Sequence, residues 1–107
     1  MIRDLYAKLP KHAPEYLAWV RSQPSAASGM IGCVAHHRIG GRYSQHKVSD
    51  FESMALTDEE HRELHASMSE FVEKYGKTEA EMIHATLLEA IRLGVFTFDA
   101  RAARELA

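Results

Sequence analysis

The sequence predicts a small α+β domain, mostly helical by residue count, with one helix before two short strands and further helices after them. Three observations point to it. Two Thr-x-x-Glu segments, Thr57–Glu60 and Thr78–Glu81, each precede an apolar run with helical spacing. The stretch 30–39, MIGCVAHHRI, is β-branched and apolar enough for a strand. A chain of 107 residues has room for one compact domain, taken here as 1–107 with its core at about 14–96.

In chain order, EYLAWVRS after Pro14 reads as a short amphipathic helix. Leu17, Trp19 and Val20 are its apolar contribution, and Trp19 is a core residue. It must stop before Pro24, because the residue preceding a proline is pushed out of helical geometry. SAASG at 25–29 is a turn. The strand at 30–39 follows, interrupted at Gly32 and carrying Cys33 as a small buried residue. Residues 40–50, opened by Gly40-Gly41, form a loop, and FESMAL at 51–56 is a second short strand. Thr57 and Glu60 then form a reciprocal capping box, which predicts one helix over about 58–75 ended by Gly76. Thr78 opens another helix, whose stripe of Met82, Ile83, Thr86, Leu87, Ala90 and Ile91 faces the core and which Gly94 closes. Asp99 caps a short final helix, ARAARELA.

Composition removes several classes of function. No apolar run approaches the ~18 residues of a membrane span, and the N-terminus has no apolar signal core. The single Cys33 excludes an internal disulfide and any Cys-based zinc ribbon, and it suits a cytoplasmic protein. Net charge is −2, but residues 1–48 carry +5 and residues 49–107 carry −7. A basic front half can aim one face at phosphate, although charge segregated among helix surfaces gives the same numbers.

The chemistry lies in the histidines. His61 and His65, four apart on a predicted helix, project from one face and can share an ion. The same spacing also describes two solvated histidines. Continued by threes and fours it reaches Met68, Val72 and Tyr75, which predicts that the pair begins a buried stripe. His36 and His37 are adjacent on a strand and therefore point to opposite faces. Such a pair suits a division of labour, one ring on a metal and the other acting as a base. An irregular strand beside Gly40-Gly41 would instead bring both into one cleft. His84, on the last long helix, reads as structural or exposed, and Tyr43 as amphipathic loop surface.

Taken together, a His-His strand, a basic glycine loop, Asp50, a second strand and a capped helix with HxxxH resemble the HNH, or ββα-metal, nucleases. The stretches AHHRIGGRYSQHKVSDFESMALTDEEHRELH and FVEKYGKTEAEMIHATLLEAIRLGVF, with YLAWVRSQP before them, are similar to the nuclease domain of the Ref-type phage recombination endonucleases and their small phage-encoded relatives. The resemblance implies a bacterial or phage-encoded, metal-dependent DNA endonuclease of low sequence specificity. It implies His36, His61 and His65 as ligands of one divalent ion (Mg²⁺, Mn²⁺ or Zn²⁺), His37 as general base and Asp50 as the brace of the loop or of His37. Arg38, Arg42, His46 and Lys47 would grip the DNA backbone. It also implies a recombinase as a partner. A homodimer through the C-terminal helices is open, and so is a non-cleaving DNA-binding or recombination accessory role.

One departure is informative. Such relatives carry a structural zinc knuckle where this chain has Ser25, Ser28, Thr57 and Glu60. All four ligand positions differ together, so no structural zinc is expected. A cap of on the order of 1 kcal/mol stands where a zinc would contribute about 10–16 kcal/mol.

Overall fold

The computed structural model describes residues 12–40 and 48–96. Among the described residues there are four helices and one sheet, in the expected order of helix, two strands, then helices. The helices are α1 (Pro14–Arg21), α2 (Asp58–Ala66), α3 (Met68–Tyr75) and α4 (Glu79–Arg92); the strands are β1 (Val34–His37) and β2 (Ser53–Leu56). The expected final helix ARAARELA lies outside the described residues.

β1 and β2 run antiparallel, with Val34 opposite Leu56, Ala35 opposite Ala55, His36 opposite Met54 and His37 opposite Ser53. Alternation along the strands separates two faces. Met54 and Leu56 pack with Leu64 of α2, Phe71 of α3, and Met82 and Ile83 of α4. On the other face Ala55 packs with Tyr16 and Val20 of α1 and with Ala90, and Ala35 lies against that cluster. The sheet is thus a thin septum between two small cores. All four residues of β2 are buried, as a strand covered on both sides should be.

β1 is shorter than the predicted 30–39. Gly29 and Gly32 sit at φ +82° and +84°, a left-handed conformation that cannot continue a strand. The segment before β1 instead turns back, with Ser25 N–H donating to Met30 O at 2.7 Å. Pro14 begins α1, where its missing N–H costs nothing. That helix buries Tyr16 and Val20, one turn apart, rather than Leu17, and Trp19 only flanks the cluster. The Tyr16 hydroxyl is buried without a partner among the described residues, and burial pushes its pKa up to about 12.

The single helix expected over 58–75 is two helices. Ser67 has extended φ and ψ (−161°, 108°), ends α2, and caps α3 by accepting from Glu70 N–H at 3.3 Å. The Ser67-x-x-Glu70 spacing carries the same signal as the two boxes that were recognised. The break also corrects the predicted stripe. The buried positions are Glu60 and Leu64 of α2 and Phe71 of α3, whereas His61 is half-buried and His65 exposed. The histidine pair therefore lies at the rim of the core. Both recognised boxes start helices where expected: Thr57 accepts from Glu60 N–H at 3.2 Å, and Thr78 from Glu81 N–H at 3.1 Å. On α4, Met82, Ile83 and Ala90 are buried, but Ile91 is 43% exposed and does not belong to the core stripe. Among the described residues no helix is long and apolar enough to cross a membrane.

Candidate metal centre

His36 sits on β1 opposite Met54, and the register turns its ring toward α2. Its centroid lies 5.1 Å from that of His61 and 5.4 Å from that of His65. The two helical rings are 4.5 Å apart, with their Nε2 atoms at 3.1 Å. One ligand nitrogen from each of the three residues falls within 4.8 Å of the others. Among the described residues this is the one group of three His, Cys, Asp or Glu side chains so placed.

The donor set fits an ion. His36 is 1% exposed. Its Nε2 lies 2.7 Å from Glu79 Oε2, while its Nδ1 is buried and has no hydrogen-bond partner among the described residues. A buried orphan nitrogen is costly unless something on that side accepts its lone pair. The facing Nε2 atoms of His61 and His65 share one hydrogen, one ring donating and the other accepting, an arrangement that a cation binding both nitrogens would replace. Burial first, and then the neighbouring His36 and His65, push His61 below its usual value, toward the neutral form that binds metal. An ion with bonds of about 2.0–2.1 Å holds nitrogens roughly 3.3 Å apart at tetrahedral angles, so a closing movement of about 1.5 Å or less would suffice.

Glu79 was not anticipated from the sequence. It is the first residue of α4, 6% exposed, and 43 positions from His36. Its Oε2 also accepts from Ile39 N–H at 2.9 Å, and its Oε1 from Gly40 N–H at 2.8 Å. Burial alone would raise its carboxyl, but the bonds from His36, Ile39 and Gly40 outweigh that and hold it below the usual range. The only sequence signal was a carboxylate just inside a capped helix start, which the helix dipole explains equally well.

His37 faces away from His36. Its Nε2 lies 2.8 Å from Asp50 Oδ1, and its side chain is 34% exposed, enough for water to reach the ring. Asp50 is buried, and its Oδ2 accepts from Ala13 N–H at 2.7 Å, tying the loop to the start of α1. The two residues expected to cooperate as base and brace are therefore in contact. Arg38 is drawn inward: its Nε donates to Glu52 Oε1 at 2.9 Å and its guanidinium to Gly40 O at 2.5 Å. Arg42, His46 and Lys47 lie outside the described residues.

The four positions expected to have lost a zinc knuckle also meet. Ser25 Oγ donates to Glu60 Oε1 at 2.5 Å, and Thr57 N–H donates to the same oxygen at 2.9 Å. Ser25 Oγ in turn accepts from the N–H groups of Ala27 and Ser28. Burial would raise the Glu60 carboxyl, but bonds from Ser25, Ser28 and Thr57 hold it low.

Comparison with known proteins adds a family and one relative. The profile of a family described as "Protein of unknown function (DUF968)" matches residues 5–94. The chain is similar to "Uncharacterized protein YdfU" of Escherichia coli (strain K12), at 34% identity over 98 residues, 86% of this chain. It spans only 28% of that relative's length. No solved structure matches.

Proposed function

The chain belongs to the DUF968 family. We propose, from its histidine geometry and the sequence resemblance, that it is a metal-dependent endonuclease of the HNH type that hydrolyses DNA phosphodiester bonds. The observation that carries the reading is the convergence of His36, His61 and His65, with the buried Nδ1 of His36 left without a protein partner. These three side chains would hold one divalent ion. Three imidazoles favour a transition ion such as Zn²⁺ over Mg²⁺, which prefers oxygen ligands. When bound, the ion supplies positive charge against a scissile phosphate and its leaving oxygen.

The chain's own groups supply the rest. Asp50, an acceptor at both oxygens, favours the His37 tautomer with hydrogen on Nε2. That leaves Nδ1 of His37 bare, to take a proton from an attacking water. Asp50 holds the ring's orientation and offsets the positive charge that it gains. Arg38 contributes a partly exposed guanidinium already braced by Glu52, and Arg42, His46 and Lys47 would add phosphate contacts that position the duplex without reading its sequence. A recombinase partner belongs to this reading only through the resemblance to the Ref-type enzymes.

Nicking of supercoiled plasmid by the purified protein, with Zn²⁺, Mn²⁺ or Mg²⁺ added, tests the proposal. Wild type should nick, and His37→Ala should be slower by about 10²–10⁴-fold, the usual contribution of a general base. Equal rates for the two proteins would defeat it. Salt-sensitive DNA binding without any nicking would favour the accessory role instead.

A further inference from the structure

We infer that Glu79 is a positioning residue that makes His36 a metal ligand and couples the ion to the backbone entering the basic stretch after Gly40. The inference rests on the three-imidazole site proposed above and extends it to a residue outside the ligand set.

Three observations on one carboxylate carry it. First, Glu79 Oε2 lies 2.7 Å from His36 Nε2, and as a carboxylate it can only accept there. The hydrogen of the ring is thereby fixed on Nε2, and the buried Nδ1 is left as a bare lone pair. An anionic partner behind the ring also raises the basicity of the opposite nitrogen. Second, the two carboxylate oxygens accept from the consecutive N–H groups of Ile39 and Gly40. These residues follow the strand directly and precede the stretch that carries Arg42, His46 and Lys47. Third, a Cβ placed on Gly40 would stand 2.8 Å from Glu79 Oε1. At that distance the end of the Glu79 side chain would have to shift, and the left-handed backbone that favours glycine elsewhere is not found at Gly40. A side chain there would displace the carboxylate and so loosen its hold on His36.

The last point provides a test that does not touch the ligands. Co²⁺ affinity and the visible absorption of bound Co²⁺ would be measured for wild type, Glu79→Gln, Gly40→Ala and Glu79→Ala, and for Gly40→Ala combined with Glu79→Ala. Loss of such an outer partner typically weakens binding by about 10–100-fold. We expect that loss for Glu79→Gln, with altered band intensity as His36 loses its orientation, and about tenfold for Gly40→Ala. In the Glu79→Ala background, Gly40→Ala should have no further effect, because both act through one carboxylate. Gly40→Ala keeps the inference testable if removing Glu79 prevents folding. Wild-type affinity and spectra in both Glu79→Gln and Gly40→Ala would overturn it, leaving Glu79 as a loop brace, and fully additive effects would overturn the coupling. Failure of wild type to bind Co²⁺ would instead remove the metal reading itself, and this inference with it.

Discussion

Helix α2 carries two polar clusters that differ in one respect. At its first turn, Glu60 is buried, and donors from Ser25, Ser28 and Thr57 surround its carboxylate. From the next residue on, His61 and His65 face His36, whose buried Nδ1 has no partner among the described residues. The first cluster is complete within the protein and joins the 25–29 turn to the helix. The second brings three ligand nitrogens within 4.8 Å of one another, the geometry on which the proposed metal site rests. Burial alone does not distinguish a structural cluster from a binding one, since both hold buried polar groups; what sets the second apart is three converging imidazoles with an unmet lone pair on one of them.

Perturbing each cluster should leave the other intact. The largest effect is expected from His65→Ala. This side chain is exposed, so the metal-free protein should keep its stability to within about 0.5 kcal/mol. Its Co²⁺ or Zn²⁺ affinity should fall by more than about 100-fold, beyond the range typical of outer partners, as read by calorimetric titration. Ser25→Ala should do the reverse. It removes a donor from a buried carboxylate, at a cost of roughly 1.5–3 kcal/mol. Melting temperature should drop by about 4–8 °C per kcal/mol, with metal affinity unchanged. Parallel losses of affinity and stability in both variants would show that the clusters are one unit.

Acid should weaken the complete cluster through Glu60. Its folded carboxyl is held below the ordinary value of 4.5, so its stabilisation is present above that value and is lost as pH falls through the lower folded one. Thermal melting between pH 6 and pH 3 should therefore show a drop that Glu60→Gln flattens. EDTA is expected to leave the protein folded. Chelation should remove only the linkage stabilisation of the bound ion, about 2.7 kcal/mol at a hundredfold excess of ion over its dissociation constant. Unfolding on chelation would reveal a structural metal that the Ser25–Glu60 cluster does not account for.

The local chemistry was legible in the sequence where partners are close together. The Thr57 and Thr78 boxes started α2 and α4 where predicted, and the i, i+4 spacing put His61 and His65 on one face. Alternation along β1 anticipated that His36 and His37 would part, and contact with His37, 13 residues away, was one of the two roles that the resemblance offered for Asp50. Ser67 was missed although its signal was present, because the apolar spacing ran through it and suggested one long helix. That error also placed the histidine pair at the start of a buried stripe. The hold of Glu79 on His36 was not legible, since it spans 43 residues and depends on how α4 packs against the sheet. The resemblance to HNH nucleases supplied roles for the histidines, whereas the geometry supplied the orphan nitrogen and the carboxylate behind it.

The central claim is that one ion joins the strand histidine to the two helical ones. Crystals of the full chain grown with Zn²⁺ and measured at the zinc absorption edge test it most directly. The account predicts one anomalous peak about 2.0–2.1 Å from His36 Nδ1 and from a nitrogen of each of His61 and His65. A peak at Glu60 and Cys33, or none between the three rings at saturating Zn²⁺, would contradict it.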